Sequence, residues 1–161
     1  MFRISQYMQA IRNPTPPTPP RTPSGPVVIW NLIRRCNLTC KHCYSISADT
    51  NFKGELSTTE AFTVMDDLKQ YGVPVLILSG GEPLLRPDIF ELSKRAKDMG
   101  FYVGLSTNGT LIDENNIQQI ADIGYDYVGI SIDGLETIHD KFRRLDGAFQ
   151  KSMDGIKLCQ E

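Results

Sequence analysis

The sequence predicts an α/β fold built on a parallel sheet. From residue 27 onward, short apolar runs alternate with stretches of helical period. The second, third and fourth of these runs open at Val75, Phe101 and Tyr125, about one strand–helix unit apart. Parallel neighbours need crossover helices, and this alternation supplies them. Each predicted strand is followed by small, polar or ligating residues, which such a sheet gathers along one edge.

The first strand is predicted at 27–33. A helix then opens at Ser57-Thr58-Thr59-Glu60, a capping box, with Ala61, Val64, Met65 and Leu68 as its apolar face and Gly72 and Pro74 as its stop. The second strand covers 75–78. Pro87 at a first-turn position and Asp88 start the next helix, which turns Ile89, Leu92, Ala96 and Met99 inward and stops at Gly100. A third strand covers 101–105. Asp113 is placed to cap a helix carrying Ile117, Ile120 and Ala121 and ending at Gly124. The fourth strand is 125–132, and Phe149, Met153, Ile156 and Cys159 mark a last helix.

Before this unit, Ile4, Tyr7, Met8 and Ile11 fall at helical spacing, and seven of the ten prolines lie between Pro14 and Pro26. Such a run favours extended polyproline backbone. The chain is therefore divided into an N-terminal segment with a Pro-rich spacer, 1–26, and a folded unit, 27–161.

At 161 residues and 40% hydrophobic, the chain can bury one core. A net charge of −2 argues against a nucleic-acid surface or a basic membrane anchor. No apolar run approaches the about 18 residues that span a bilayer. The reading is cytoplasmic, with no membrane or nucleic-acid partner, and a reducing compartment favours metal-binding thiols over disulfides. Cys159, distant from the other three, reads as a small buried hydrophobe.

The chemistry sits after the first strand. Cys36, Cys40 and Cys43 stand at CxxxCxxC spacing, and closely spaced cysteines suit an iron–sulfur cluster. Three ligands on a four-iron cubane leave one iron open. Cys36, Cys40, His42 and Cys43 also make up a possible Cys3His zinc site, although structural zinc usually takes two separated ligand pairs. A dinucleotide fold is excluded, because cysteines stand where its GxGxxG should follow the first strand. After the second strand come Gly80 and Gly81, which let a ligand approach the backbone, and Glu82, whose carboxylate suits an ammonium group. Thr107, Asn108, Ser131 and Asp133 follow the third and fourth strands, where they serve equally as turn formers.

The cysteine spacing resembles the signature of the radical S-adenosylmethionine (SAM) enzymes, and the resemblance covers 27–160. It implies that Cys36, Cys40 and Cys43 hold a [4Fe–4S] cluster whose open iron binds SAM. Reductive cleavage of SAM then gives a 5′-deoxyadenosyl radical that abstracts hydrogen from the substrate. The Gly80-Gly81-Glu82-Pro83 stretch resembles the element that contacts the SAM amino group. Thr107 and Ser131 become candidates for the SAM carboxylate and ribose, with Asn108 and Asp133 beside them. His42 stands where many members carry an aromatic residue near the adenine. No protein acid or base is implied, because the cofactor carries the chemistry.

Cys-Asn-Leu-Thr-Cys-Lys-His-Cys-Tyr, the Pro-rich leader, Ser-Gly-Gly-Glu-Pro-Leu-Leu-Arg-Pro-Asp and Ser-Ile-Asp-Gly-Leu narrow the likeness to the heme-biosynthesis branch, and within it to the heme d1 members. The implied substrate is a siroheme-derived tetrapyrrole altered at its propionates, with an unidentified electron donor as partner. Arg34, Arg35, Lys41, Arg143 and Arg144 are candidates for binding its carboxylates. A peptide-maturing enzyme and a non-enzymatic zinc module are the alternatives. The implied fold is a partial (βα)6 TIM-like barrel, of which four units are present. The chain is thus expected to be the N-terminal part of a longer protein, not competent alone, with its fourth strand an unpaired apolar edge.

Overall fold

The computed structural model describes residues 25–46 and 48–160. The N-terminal helical spacing and most of the Pro-rich stretch lie outside them. Four strands, β1 (Val27–Asn31), β2 (Val75–Ser79), β3 (Tyr102–Thr107) and β4 (Tyr127–Ile130), form one sheet in the order β1-β2-β3-β4. All three pairings are parallel, with Val27 opposite Val75, Val75 opposite Tyr102 and Gly104 opposite Tyr127. Among the described residues the sheet is open, with β1 as well as β4 at an edge. On the face of β1 opposite the helix-packed core, Val27 and Ile29 are 53% and 59% exposed.

Helices α1 (Thr58–Gln70) and α2 (Ile89–Asp98) supply the crossovers between the first three strands. At α1 the capping box forms as its residues predict: the Ser57 Oγ accepts from Glu60 N–H while the Glu60 carboxylate accepts from Ser57 N–H. Asp88 precedes α2 without capping it, because Arg86 and Thr58 engage its carboxylate. Leu76, Leu78, Val103 and Leu105 project from one sheet face onto Ala61, Met65, Ile89, Leu92 and Ala96, and all nine are at most 1% exposed. Helix α3 (Ile117–Ile123) follows β3, entered from Asn116 rather than Asp113 and closed by Gly124 in the left-handed region at φ 63°.

The largest departure from the sequence reading follows β4. Two helices stand there, α4 (Glu136–Arg143) and α5 (Ala148–Leu158), where one was expected. Asp140 of α4 accepts the Gly147 and Phe149 amides, which starts α5. Helix α5 then packs on the loop after β3, where Ser152 Oγ donates to the Asn108 carbonyl at 2.8 Å. Cys159 falls at the end of α5 and is exposed, against the expectation of a buried residue. Among the described residues no helix is long and apolar enough to cross a membrane.

Candidate functional site

The carboxyl ends of the strands are stitched together by backbone bonds. Leu32 N–H donates to the Ser79 carbonyl, Gly81 N–H to Ile33 and Glu82 N–H to Arg35. The chain leaving β1 toward the cysteines therefore runs directly against the Gly-Gly-Glu turn leaving β2. A Cβ on Gly80 would collide with the Ile33 carbonyl oxygen, and one on Gly81 with those of Arg34 and Arg35. Here the glycines admit the cysteine-bearing backbone.

A cavity of about 630 Å3 opens at this edge. Cys36, Cys40, Cys43, His42, Gly80, Gly81, Thr107, Asn108, Ser131 and Asp133 all line it. Cys36 is buried, Cys40 half-buried and Cys43 exposed, and none of the four cysteines is in a disulfide. Burial pushes the Cys36 thiol up to about 11, although the Leu38 amide, 3.4 Å from its sulfur, favours the thiolate. Asn108 Nδ2 lies 4.0 Å from the same sulfur, and Arg143 Nη1 lies 3.7 Å from that of Cys40.

Glu82 does not line the cavity. It is fully buried, and Oε1 accepts from Thr107 Oγ1 at 2.7 Å and Leu84 N–H at 3.1 Å, Oε2 from Asn108 N–H at 2.8 Å. Its carboxylate braces the end of β2 to the end of β3, where the sequence reading set it against an ammonium group. Asn108 extends the brace: Nδ2 donates to Asn37 Oδ1, whose own amide reaches Thr110 Oγ1, both at 2.9 Å.

At β4, Ser131 N–H donates to the Thr107 carbonyl. Asp133 pairs with Arg143 Nε at 2.6 Å and with His42 Nε2 at 3.4 Å. The His42 ring meets Phe142 edge-on at 5.4 Å between centroids. Arg143 is thus buried and paired with Asp133 where it lines the cavity. Arg35 pairs with Asp49 at the surface, and the Arg34 guanidinium lies over the Phe52 ring.

Among the described residues no three His, Cys, Asp or Glu side chains converge closely enough to hold a single metal ion. Tetrahedral zinc crowds its ligands within about 4 Å of one another, whereas a cubane presents its irons at separate corners. Three thiols that share one cavity, with donors aimed at two of the sulfurs, suit the cluster by their donor chemistry. His42, turned toward Asp133, does not complete a Cys3His set.

A family model described as the radical SAM superfamily matches residues 30–161. The chain belongs to the radical SAM superfamily. The cofactors of this family are a [4Fe–4S] cluster and SAM. A solved structure described as native anSMEcpe with bound AdoMet matches at TM-score 0.65 and 26% identity, over 83% of this chain and 40% of that one. Among curated proteins, the pre-heme d1 synthase of Dinoroseobacter shibae is 50% identical over 99% of this chain. The Fe-coproporphyrin III synthase of Methanosarcina barkeri is 47% identical over 84% of it. The chain spans 40% and 34% of the lengths of these two relatives.

Sequence reasoning missed His139, 1% exposed, whose Nδ1 accepts the Asp133 amide at 3.2 Å. Burial holds its pKa below the usual histidine range. It also missed Asn37 as the link between the cysteine loop and Asn108. The His139–Arg143 spacing of four residues was the available signal, since it puts both on one helix face.

Proposed function

We propose that this chain forms the cofactor-binding part of a radical SAM enzyme of heme biosynthesis, acting on propionate side chains of a siroheme-derived tetrapyrrole. The observation that carries the reading is the single cavity at the strand ends, lined by all three cysteines, both glycines and the ends of β3 and β4. The substrate class is supported by the 50% identity to a pre-heme d1 synthase. Cys36, Cys40 and Cys43 would hold the cluster, which with SAM supplies a 5′-deoxyadenosyl radical by one-electron reduction.

The chain's own residues position and shield. The Leu38 amide, Asn108 and Arg143 direct N–H groups at the sulfurs of Cys36 and Cys40, offsetting thiolate charge. Glu82, Thr107 and Asn108 lock the β2 and β3 ends together beside the cavity. Ile29, Leu38 and Ile130 add apolar surface to its lining. Gly80, Gly81, Thr107, Ser131, Asp133 and His42 are the proposed SAM contacts. Four thiols outside any disulfide suit a reducing cytoplasm, and an electron donor is the required partner.

The test is anaerobic reconstitution of the full-length protein with iron and sulfide, followed by a metal count, a visible spectrum and SAM cleavage with siroheme derivatives. The expected result is about four irons, a brown chromophore and cleavage coupled to propionate loss. Cys40→Ala should abolish chromophore and cleavage together. Bound zinc without chromophore, or cleavage coupled only to a peptide, would overturn the proposal.

A further inference from the structure

We infer that Arg143 is a positioning residue for Cys40 whose guanidinium raises the reduction potential of the cluster held there. This rests on the cofactor reading above and is independent of the substrate. Arg143 ends α4, yet its side chain is only 9% exposed. Its planar fork is held twice, by an ion pair that sets Nε 2.6 Å from Asp133 Oδ2 without hydrogen-bond alignment, and by Nη2 donating to the Ser131 carbonyl at 3.2 Å. A guanidinium carries its donors in one rigid plane, so two anchors determine where the third points. The third, Nη1, points at Cys40 Sγ, 3.7 Å away.

Asp133 is itself held on two sides. Its backbone N–H donates to His139 Nδ1, and Oδ1 faces His42 Nε2. Strand end, helix and cysteine loop therefore converge to bring one cation to one sulfur. Cys36 receives only neutral donors, from Leu38 and Asn108. Donation to a ligating sulfur withdraws electron density from it and favours the more negative, reduced cluster. Cluster potentials follow net charge and the hydrogen bonds on the sulfurs.

The experiment is a redox titration, read by electron paramagnetic resonance, of the protein carrying its cluster, without SAM or substrate. Arg143→Gln should keep the iron count and lower the reduced-to-oxidised ratio at a fixed potential about tenfold, a downward shift of about 59 mV for one electron. Asp133→Asn, which deletes the compensating negative charge, should move the ratio the other way. Arg143→Lys keeps the charge and loses the fork, so it should fall between wild type and Arg143→Gln. It also decides the matter if Arg143→Gln takes up no cluster. An unmoved potential in the loaded variants overturns the inference, as does weakened SAM binding without a shift, which would make Arg143 a SAM contact. A wild-type protein that takes up no iron overturns the cofactor reading itself, whereas a loaded cluster of unchanged potential overturns only this inference.

Discussion

Glu82→Ala deletes a fully buried carboxylate on which three donors converge: the Thr107 hydroxyl, the Asn108 amide and the Leu84 amide. The two amides cannot turn elsewhere. The hydroxyl is constrained too, because its oxygen already accepts from Gly109 N–H at 3.0 Å. A buried donor left without a partner costs about 1–3 kcal/mol, so three of them place the loss at about 3 kcal/mol or more. Domains of this kind unfold with only about 5–15 kcal/mol, so the change should be plain in a urea melt. Glu82→Gln keeps one oxygen and, in its better orientation, strands only the Asn108 amide, for about 1–3 kcal/mol. Burial holds the Glu82 carboxyl above the usual range, against the hydrogen bonds that pull it down. The folded pKa thus exceeds the unfolded one, and between them the native state binds more protons. That contribution is fully present below the unfolded value and is lost as pH rises through the folded value. The stability of wild type relative to Glu82→Gln should therefore grow as pH falls. An alanine variant within about 1 kcal/mol of wild type would refute the bracing role, and a pH-independent difference between wild type and Glu82→Gln would refute the upward shift of its carboxyl by burial.

Gly81→Ala forces a methyl into the Arg34 and Arg35 carbonyls. It should cost about 1–3 kcal/mol in a denaturant melt and lower iron uptake, since the displaced backbone leads into the cysteines. Arg86 is 6% exposed and joins the Leu32 and Leu56 carbonyls to Asp88. Arg86→Met should lose about 3 kcal/mol by the same melt, because Asp88 and both carbonyls lose their partner.

Much of the fold was readable because the first three strand–helix units follow simple periodicity. Leu76, Leu78, Val103 and Leu105 are apolar and buried, and the capping box at Ser57 names its own helix start. What the glycines and Glu82 do was not readable. Gly80 and Gly81 look open to a ligand in sequence, yet neighbouring backbone fills the space beside their Cα atoms. Glu82 looks available, yet two of the three donors that bind it lie 25 and 26 residues away at the end of β3.

Helix α4 was missed for a related reason: its amphipathicity is inverted. Ile138 and Phe142, together with Leu135 just before the helix, are 48%, 39% and 81% exposed, while His139 and Arg143 are buried. A search for an apolar stripe facing a core cannot find such a helix, because its inner face is satisfied by specific partners. Those partners are supplied by the cysteine loop and the end of β4. Lys41 N–H donates to the Phe142 carbonyl at 2.8 Å, Arg143 reaches Cys40, and His42 meets Phe142 while pairing with Asp133. Each link joins segments about a hundred residues apart in the chain, so neither side attains this arrangement alone. The cysteine loop and α4 therefore order together, and a change that frees α4 from Asp133 should loosen Cys40 before it disturbs the sheet core.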